Sequence, residues 1–329
     1  MSRTERKADT NTSDAPAAIE RRHGRSLWSD ARRKLMRDKG AMVCFGIVVL
    51  YALLAIGGFV YEGLADWKDN DNILRFAEMA DPGNPNKPPS LSSWRTLLGT
   101  DWEGKPVILG VILGAKVSMT IGLMVNVIAV PVGMVLGAIA GYYGRWFDDV
   151  IVWFYTTLLS IPGIILLIAM KYAFNRAGKI WGMDLAGMHG LYVALGVISW
   201  IGTCRYVRAE AMKIRELDYV VAARAAGRHS FAILLRHVMP NVMHLGVINF
   251  SLGFVGAITS EVILSYLGLG VPVGTPSWGS MISSAGQQLV QGYWWELTGA
   301  VVAMFIIVLA LNILGDRLRD ALDPRLRTA

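Results

Sequence analysis

Asp218-Tyr219-Val220-Val221-Ala222-Ala223-Arg224-Ala225-Ala226-Gly227 is followed thirteen residues later by Pro240, and the whole lies between two strongly apolar stretches. Seven cations (Arg205, Arg208, Lys213, Arg215, Arg224, Arg228 and Arg236) make residues 205–240 basic. A chain that otherwise lives in lipid must put such a segment in water, on the side where Lys and Arg collect. Small Ala222 and Ala223 let a short helix pack closely. Gly227 permits a backbone turn between two short helices. Pro240 is expected to open the next apolar segment, where its missing N–H costs little.

The rest of the composition agrees with lipid. Hydrophobic residues make up 53% of the 329 and charged residues only 17%, against about 25% charged in a soluble domain. The first 40 residues are polar, and the first apolar run starts too late and is too long for the core of a cleavable leader, so it is expected to remain as a span. A helix needs about 20 apolar residues to cross the hydrocarbon. Six segments meet that: roughly 41–61, 117–142, 150–170, 191–207, 242–267 and 297–315. The fold class is therefore an all-α polytopic membrane protein of about six transmembrane helices.

An even number of spans puts both termini on one side. Eleven Lys and Arg precede the first span and four follow Gly315, whereas residues 268–296 hold none. The positive-inside rule places both termini and the 205–240 loop in the cytoplasm. Lys171, Arg176 and Lys179 on an outer loop run against it, but the larger asymmetry decides. The net charge of +7 is then a topology signal, and nucleic acid is not expected as a partner. Cys44 and Cys204, in or beside different spans, give neither a disulfide framework nor a zinc spacing and read as packing residues.

Along the chain, residues 1–25 read as a disordered cytoplasmic tail. Residues 26–40 form an amphipathic cytoplasmic helix, with Leu27, Trp28, Ala31 and Leu35 at helical spacing among Arg32, Arg33 and Lys34; it either lies on the inner membrane surface or extends the first span. The first transmembrane helix takes 41–62, an outer loop 63–107, the transmembrane core with its cytoplasmic loop at 208–240 takes 108–316, and a cytoplasmic tail 317–329. Pro82, Pro85, Pro88 and Pro89 argue against a long helix in the outer loop. Asp69-Asn70-Asp71 opens like a calcium loop, but Ile73 occupies a ligand position and the turn glycine and closing glutamate are missing. Gly133, Gly137 and Gly141 form a small-residue stripe for close helix packing. Pro131 and Pro162-Gly163 are expected to bend or break their helices. Glu261, a carboxylate inside an apolar segment, either serves function or reaches headgroups or a helix end.

No catalytic constellation is present: no Gly-x-x-x-x-Gly-Lys-Ser/Thr, no His-Glu-x-x-His, no Gly-x-Ser-x-Gly. His229, His237 and His244 are separated by gaps that Pro240 interrupts, and they read as loop surface contacts. Any energy source must come from a partner.

Ala222, Ala223, Gly227 and Pro240 fall at the spacings of the cytoplasmic loop by which permease subunits of ABC importers hold their ATPases. The family pattern is Glu-Ala-Ala, three residues, Gly, nine residues, then Ile-x-Leu-Pro. Val221 replaces the glutamate and His237 the isoleucine, while Arg236-His237-Val238-Met239-Pro240-Asn241 resembles the peptide importers' version. Four further stretches resemble that subfamily, closest to the second permease of oligopeptide transporters. They are Gly24 to Arg33, Leu98-Gly99-Thr100-Asp101 with Gly104, Leu264 to Gly270 with Pro276-Ser277-Trp278-Gly279, and Gly315 to Pro324; Pro106 departs from the usual acid.

The resemblance implies a type I ABC importer permease fold in a bacterial inner membrane. It implies an ATPase-docking loop made by Val221, Ala222, Ala223, Arg224, Gly227, Ser230, Arg236 and Pro240. The partners it implies are a second homologous permease, two cytoplasmic ABC ATPases that bind ATP and magnesium, and a periplasmic or lipid-anchored solute-binding protein; this chain would hold no cofactor or metal and catalyse nothing. Oligopeptides are the implied solute, with dipeptides, nickel chelates and oligosaccharides as alternatives, and the substrate path has only Pro162 and Glu261 as candidates. The different-class alternatives work without an ATPase: a channel, which would not require the loop spacing, or a secondary transporter, which would need an ion or proton site with Glu261 as its only mid-span candidate.

Overall fold

The computed structural model describes residues 27–68, 79–81, 83–180, 182–272 and 274–322. The expected N-terminal tail, residues 323–329 of the expected C-terminal tail with the end of its signature, the Asp69-Asn70-Asp71 segment and Pro82 lie outside them. Among the described residues the regular elements are helices apart from one two-stranded hairpin, with an irregular loop over 79–81 and 83–106. Five helices are long and apolar enough to cross a membrane, or six spans if one bent pair counts as one.

A short helix, α1 (Leu27–Arg37), precedes α2 (Lys39–Lys68). Asp38 separates them: its Oδ1 accepts from the Gly40 and Ala41 N–H groups at 2.9 and 3.2 Å, capping the start of α2. The N-terminal helix is thus a separate element, and the reading as an extension of the first span falls. It is tied to the last helix, α11 (Trp295–Leu322), where the Lys34 ammonium donates to the Asp320 carbonyl at 3.2 Å and Arg317 pairs with Asp38 at 3.3 Å. Both long helices outrun their expected bounds, α2 reaching past residue 62 and α11 past 316.

The central element is α3 (Val107–Tyr143), which contacts α2, α6, α9 and α11. Its 37 residues extend ~55 Å at about 1.5 Å per residue, more than the ~30 Å hydrocarbon layer. Its main partner is α6 (Met188–Ile214). The glycine stripe explains the pairing. A Cβ on Gly133, Gly137 or Gly141 would come within 2.6, 2.5 and 2.5 Å of the carbonyl oxygens of Trp200, Cys204 and Arg208. Each bare glycine lets one turn of α6 lie against α3, where dispersion replaces the hydrophobic drive. Pro131 sits inside α3 without interrupting it.

The third expected span is two helices, α4 (Arg145–Leu159) and α5 (Gly163–Ala177), bent by 88° at the break. Pro162 lacks an N–H and forces the preceding residue out of helical geometry, so the apolar run 150–170 is a broken span or a re-entrant loop. The following hairpin, β1 (Lys179–Ile180) with β2 (Met183–Asp184), leads into α6. Lys171 is buried and donates to the Ala186 and Gly187 carbonyls at 2.8 and 3.0 Å. That cation holds this turn, which accounts for a charge that runs against the positive-inside pattern.

After α6 come α7 (Asp218–Ala225) and α8 (Ser230–Ile233), then one π turn over Leu234–Val238 that runs directly into α9 (Met239–Tyr266). The Met239 N–H reaches the Leu234 carbonyl, five residues back. Pro240 takes the N1/N2 position of α9, as expected of a residue that opens the next apolar segment, but α9 does not start free. The proline stands at a π-to-α junction of one continuous helical run, where the wider turn accommodates a residue without an N–H. The loop proper is correspondingly shorter than 208–240, since α6 carries residues 208–214 and the last run begins at Ser230. The chain closes with α10 (Trp278–Leu289) and α11.

Candidate docking loop and the opposite hairpin

At the Tyr143 end of α3, α7 is anchored by Val220. Val220 is fully buried among Tyr142, Val207, Ile214, Ile233, Leu234 and Val238, and Ala223, one turn on, packs half-buried against the same cluster. Val221, Ala222, Arg224, Gly227, Ser230, Arg236 and Pro240 are exposed. The expected pair of packing alanines is thus divided: Ala223 faces the core and Ala222 faces out. Val220 was missed, although Val220 and Ala223 stand at the i, i+3 spacing of one helix face.

Gly227 adopts φ +76° and ends α7. Its N–H reaches the Arg224 carbonyl at 3.0 Å, and the Arg228 N–H reaches that of Ala223 at 3.2 Å, a left-handed glycine stop. His229 then caps α8, its Nδ1 accepting from the Phe231 N–H at 3.3 Å. Tyr219 and the next span are joined by the Asn241 amide, which donates to the Tyr219 hydroxyl at 3.0 Å. The Arg215 guanidinium donates to the Gly141 carbonyl at 3.2 Å. The loop is thereby fixed to α3, α6 and α9. Leu217, Tyr219, Val221, Phe231 and Leu235, between 45% and 55% exposed, form an apolar surface among Arg224, Arg228 and Arg236, of the kind that marks an interaction site.

At the other end of α3, two sequence motifs meet. In Leu98-Gly99-Thr100-Asp101-x-x-Gly104, the Asp101 Oδ1 accepts from the Glu103 and Lys105 N–H groups at 2.9 and 2.7 Å. Burial nevertheless pushes the Asp101 carboxyl up from its ordinary range, more than those two N–H groups pull it down. Gly99 has φ +78°, and a Cβ there would meet the Lys87 carbonyl at 2.6 Å and the Trp295 ring at 2.7 Å. The Trp295 indole N–H donates to the Thr100 carbonyl at 2.8 Å.

The second motif builds the hairpin between α9 and α10. Trp278 is fully buried and its indole N–H donates to the Val111 carbonyl at 3.0 Å. Glu261 is also fully buried, its Oε1 accepting from the Ser265 and Ser277 hydroxyls at 2.7 and 2.9 Å. Those bonds tie the end of α9 to the start of α10, so Glu261 meets neither headgroups nor a cation among the described residues. Pro162, the other substrate-path candidate, is exposed at the α4–α5 break. Between the two motifs lies a cavity of about 600 Å³, lined among others by Asp101, Glu103, Lys105, Ser284, Gln287 and Glu296.

The family described as the binding-protein-dependent transport system inner membrane component matches residues 133–328. The N-terminal transmembrane domain of oligopeptide transport permease C matches residues 26–89. Among curated proteins, the chain is 31% identical to the oligopeptide transport system permease protein OppC of Bacillus subtilis, over 92% of this chain and 91% of that one. It is 30% identical to the dipeptide transport system permease protein DppC of the same organism, over 92% and 87%. It is 32% identical to the glutathione transport system permease protein GsiD of Pectobacterium atrosepticum, over 92% and 93%. Read with five helices fit to cross a membrane, these matches make the chain a multi-pass member of the family of binding-protein-dependent transport permeases.

Proposed function

We propose that this chain is one of two homologous permease subunits of an ATP-driven importer of oligopeptides in a bacterial inner membrane, with both termini and the α7 loop in the cytoplasm. A solute-binding protein delivers the peptide from outside. Two ABC ATPases bind ATP and magnesium and grip the α7 loops; the chain itself holds no nucleotide and catalyses no reaction. Closure of the ATPases on ATP draws the paired loops together, and the rigid connection of α7 to α3, α6 and α9 carries that movement into the spans.

The observation that carries this reading is the α7 surface: fixed to the bundle through Val220, ended by a left-handed Gly227, and presenting exposed apolar and cationic side chains outward. A channel has no use for such a surface. The oligopeptide assignment draws on the relatives, which include a dipeptide and a glutathione permease, so the length of the peptide is the least constrained part.

Crosslinking tests it. Cysteines at Ala225 or Ser230, in a background lacking Cys44 and Cys204, are expected to capture a P-loop ATPase in native membranes, with a yield that changes when nucleotide is added. Capture of nothing where the partner ATPases are present overturns the docking assignment.

A further inference from the structure

The two outer motifs are not used by the docking loop, yet together they enclose the cavity of about 600 Å³ at the opposite end of α3. Its lining carries three carboxylates, Asp101, Glu103 and Glu296, and one cation, Lys105, which pairs with Glu103. Glu296, in the first turn of α11, is 5% exposed. Its Oε1 accepts from the Ser284 hydroxyl at 2.7 Å, while its Oε2 is buried and has no hydrogen-bond partner among the described residues. A buried carboxylate oxygen without a donor is costly, and a ligand that brings a donor into the cavity removes that cost.

We propose that this cavity receives the protonated amino terminus of the transported peptide, with Glu296 as its counter-charge; the assignment rests on the peptide-importer reading above. The chemistry of the donor set selects this ligand. With Oε1 already engaged by Ser284, only one oxygen lacks a donor among the described residues, which suits the point charge of an ammonium better than the two-pronged fork of a guanidinium. A divalent cation needs several ligands, and among the described residues no three His, Cys, Asp or Glu side chains are grouped to hold a metal. The volume lies in the range of small-ligand sites. Ser283 and Gln287 line the same space and can serve the amides that follow the amino terminus.

The test uses the assembled permease pair with its ATPases in liposomes. Cys44 and Cys204 are replaced by Ala, and exposed Gln287 by Cys. A cationic aminoethyl thiosulfonate reagent is expected to modify that cysteine about tenfold faster than an anionic sulfonatoethyl one, relative to a free thiol, because the carboxylates concentrate positive charge. Glu296→Gln, which keeps the shape, is expected to cut that ratio severalfold. A tripeptide with a free amino terminus is expected to slow modification, and its N-acetyl form is not. Uptake of the same tripeptide is measured alongside, with its binding protein present. A reagent ratio unchanged by Glu296→Gln, equal protection by the acetylated peptide, or protection only by peptide-free binding protein each overturns the site while uptake leaves the importer reading standing. No ATP-driven uptake of the tripeptide by the unsubstituted complex overturns the peptide reading, and this assignment with it.

Discussion

Gly227 and Gly137 are both glycines that a side chain would harm, for opposite reasons. A Cβ on Gly227 meets nothing within 4 Å, but its φ of +76° lies where L side chains rarely go. A Cβ on Gly137 would come within 2.5 Å of the Cys204 carbonyl. Gly227→Val is therefore expected to strain only the turn after α7, by ~1 kcal/mol or more. Insertion and assembly of the bundle stay normal while transport and the coupling of ATP hydrolysis to it fall. Wild-type uptake by the Gly227→Val protein would count against the loop's role. Gly137→Leu is expected to separate α3 from α6 and to cost ~1–3 kcal/mol, read as a lower thermal midpoint of the purified chain and lower membrane abundance.

Between elements, a partly buried ion pair joins α4 to α6 beside the packing of Phe154 and Tyr155 against Trp200. The Arg208 guanidinium donates to both oxygens of Asp148, with Nη2 to Oδ2 at 2.7 Å. The two side chains are only 26% and 18% exposed. Removing one member strands the other, so Arg208→Gln alone is expected to destabilise by ~1–3 kcal/mol. The double change Asp148→Asn with Arg208→Gln is expected to restore much of that, since two neutral amides of similar shape can bond to each other. A double-mutant cycle on thermal midpoints measures the coupling, and additive effects would show that the pair does not couple these helices.

No sequence pattern announced that pair, because its members stand sixty residues apart and charge spacing reveals only neighbours on one helix. The spans, the glycine stripe and the glycine turn were legible for the complementary reason: hydropathy, i, i+4 spacing and left-handed φ are local properties. Pro162-Gly163 announced a break, but not that α5 would turn by 88°, which depends on where α5 finds its partners. Pro240 was legible as a helix start and stands at N1/N2 of α9, but the π turn just before it, whose Leu234 and Val238 pack into the cluster around Val220, left no local signal. Val220 itself was hidden among other small apolar residues, where only the fold decides which one faces inward.

For the molecule as a whole, α3 separates two chemically distinct ends. One carries the cationic α7 surface, the other the acidic cavity beside Glu296. The α3–α6 zipper makes close contact with the α6 backbone at three successive turns in the α7-end part of α3, and α3 itself continues to the other end, so force applied at α7 has a stiff route along it. Function depends on that polarity being fixed across the bilayer. Leu91 and Val290, 92% and 90% exposed, lie on the loop that carries the Asp101 turn and on the connection from α10 to α11. Single cysteines there, in a background without Cys44 and Cys204, are expected to react with an impermeant thiol reagent added outside intact cells from which any outer envelope barrier has been removed. A cysteine at exposed Ser230 is expected to react only after the membrane is opened. Rapid labelling of Ser230→Cys from outside would invert the chain. It would put the α7 surface out of reach of cytoplasmic ATPases and the acidic cavity out of reach of a delivered peptide, so one measurement bears on both ends.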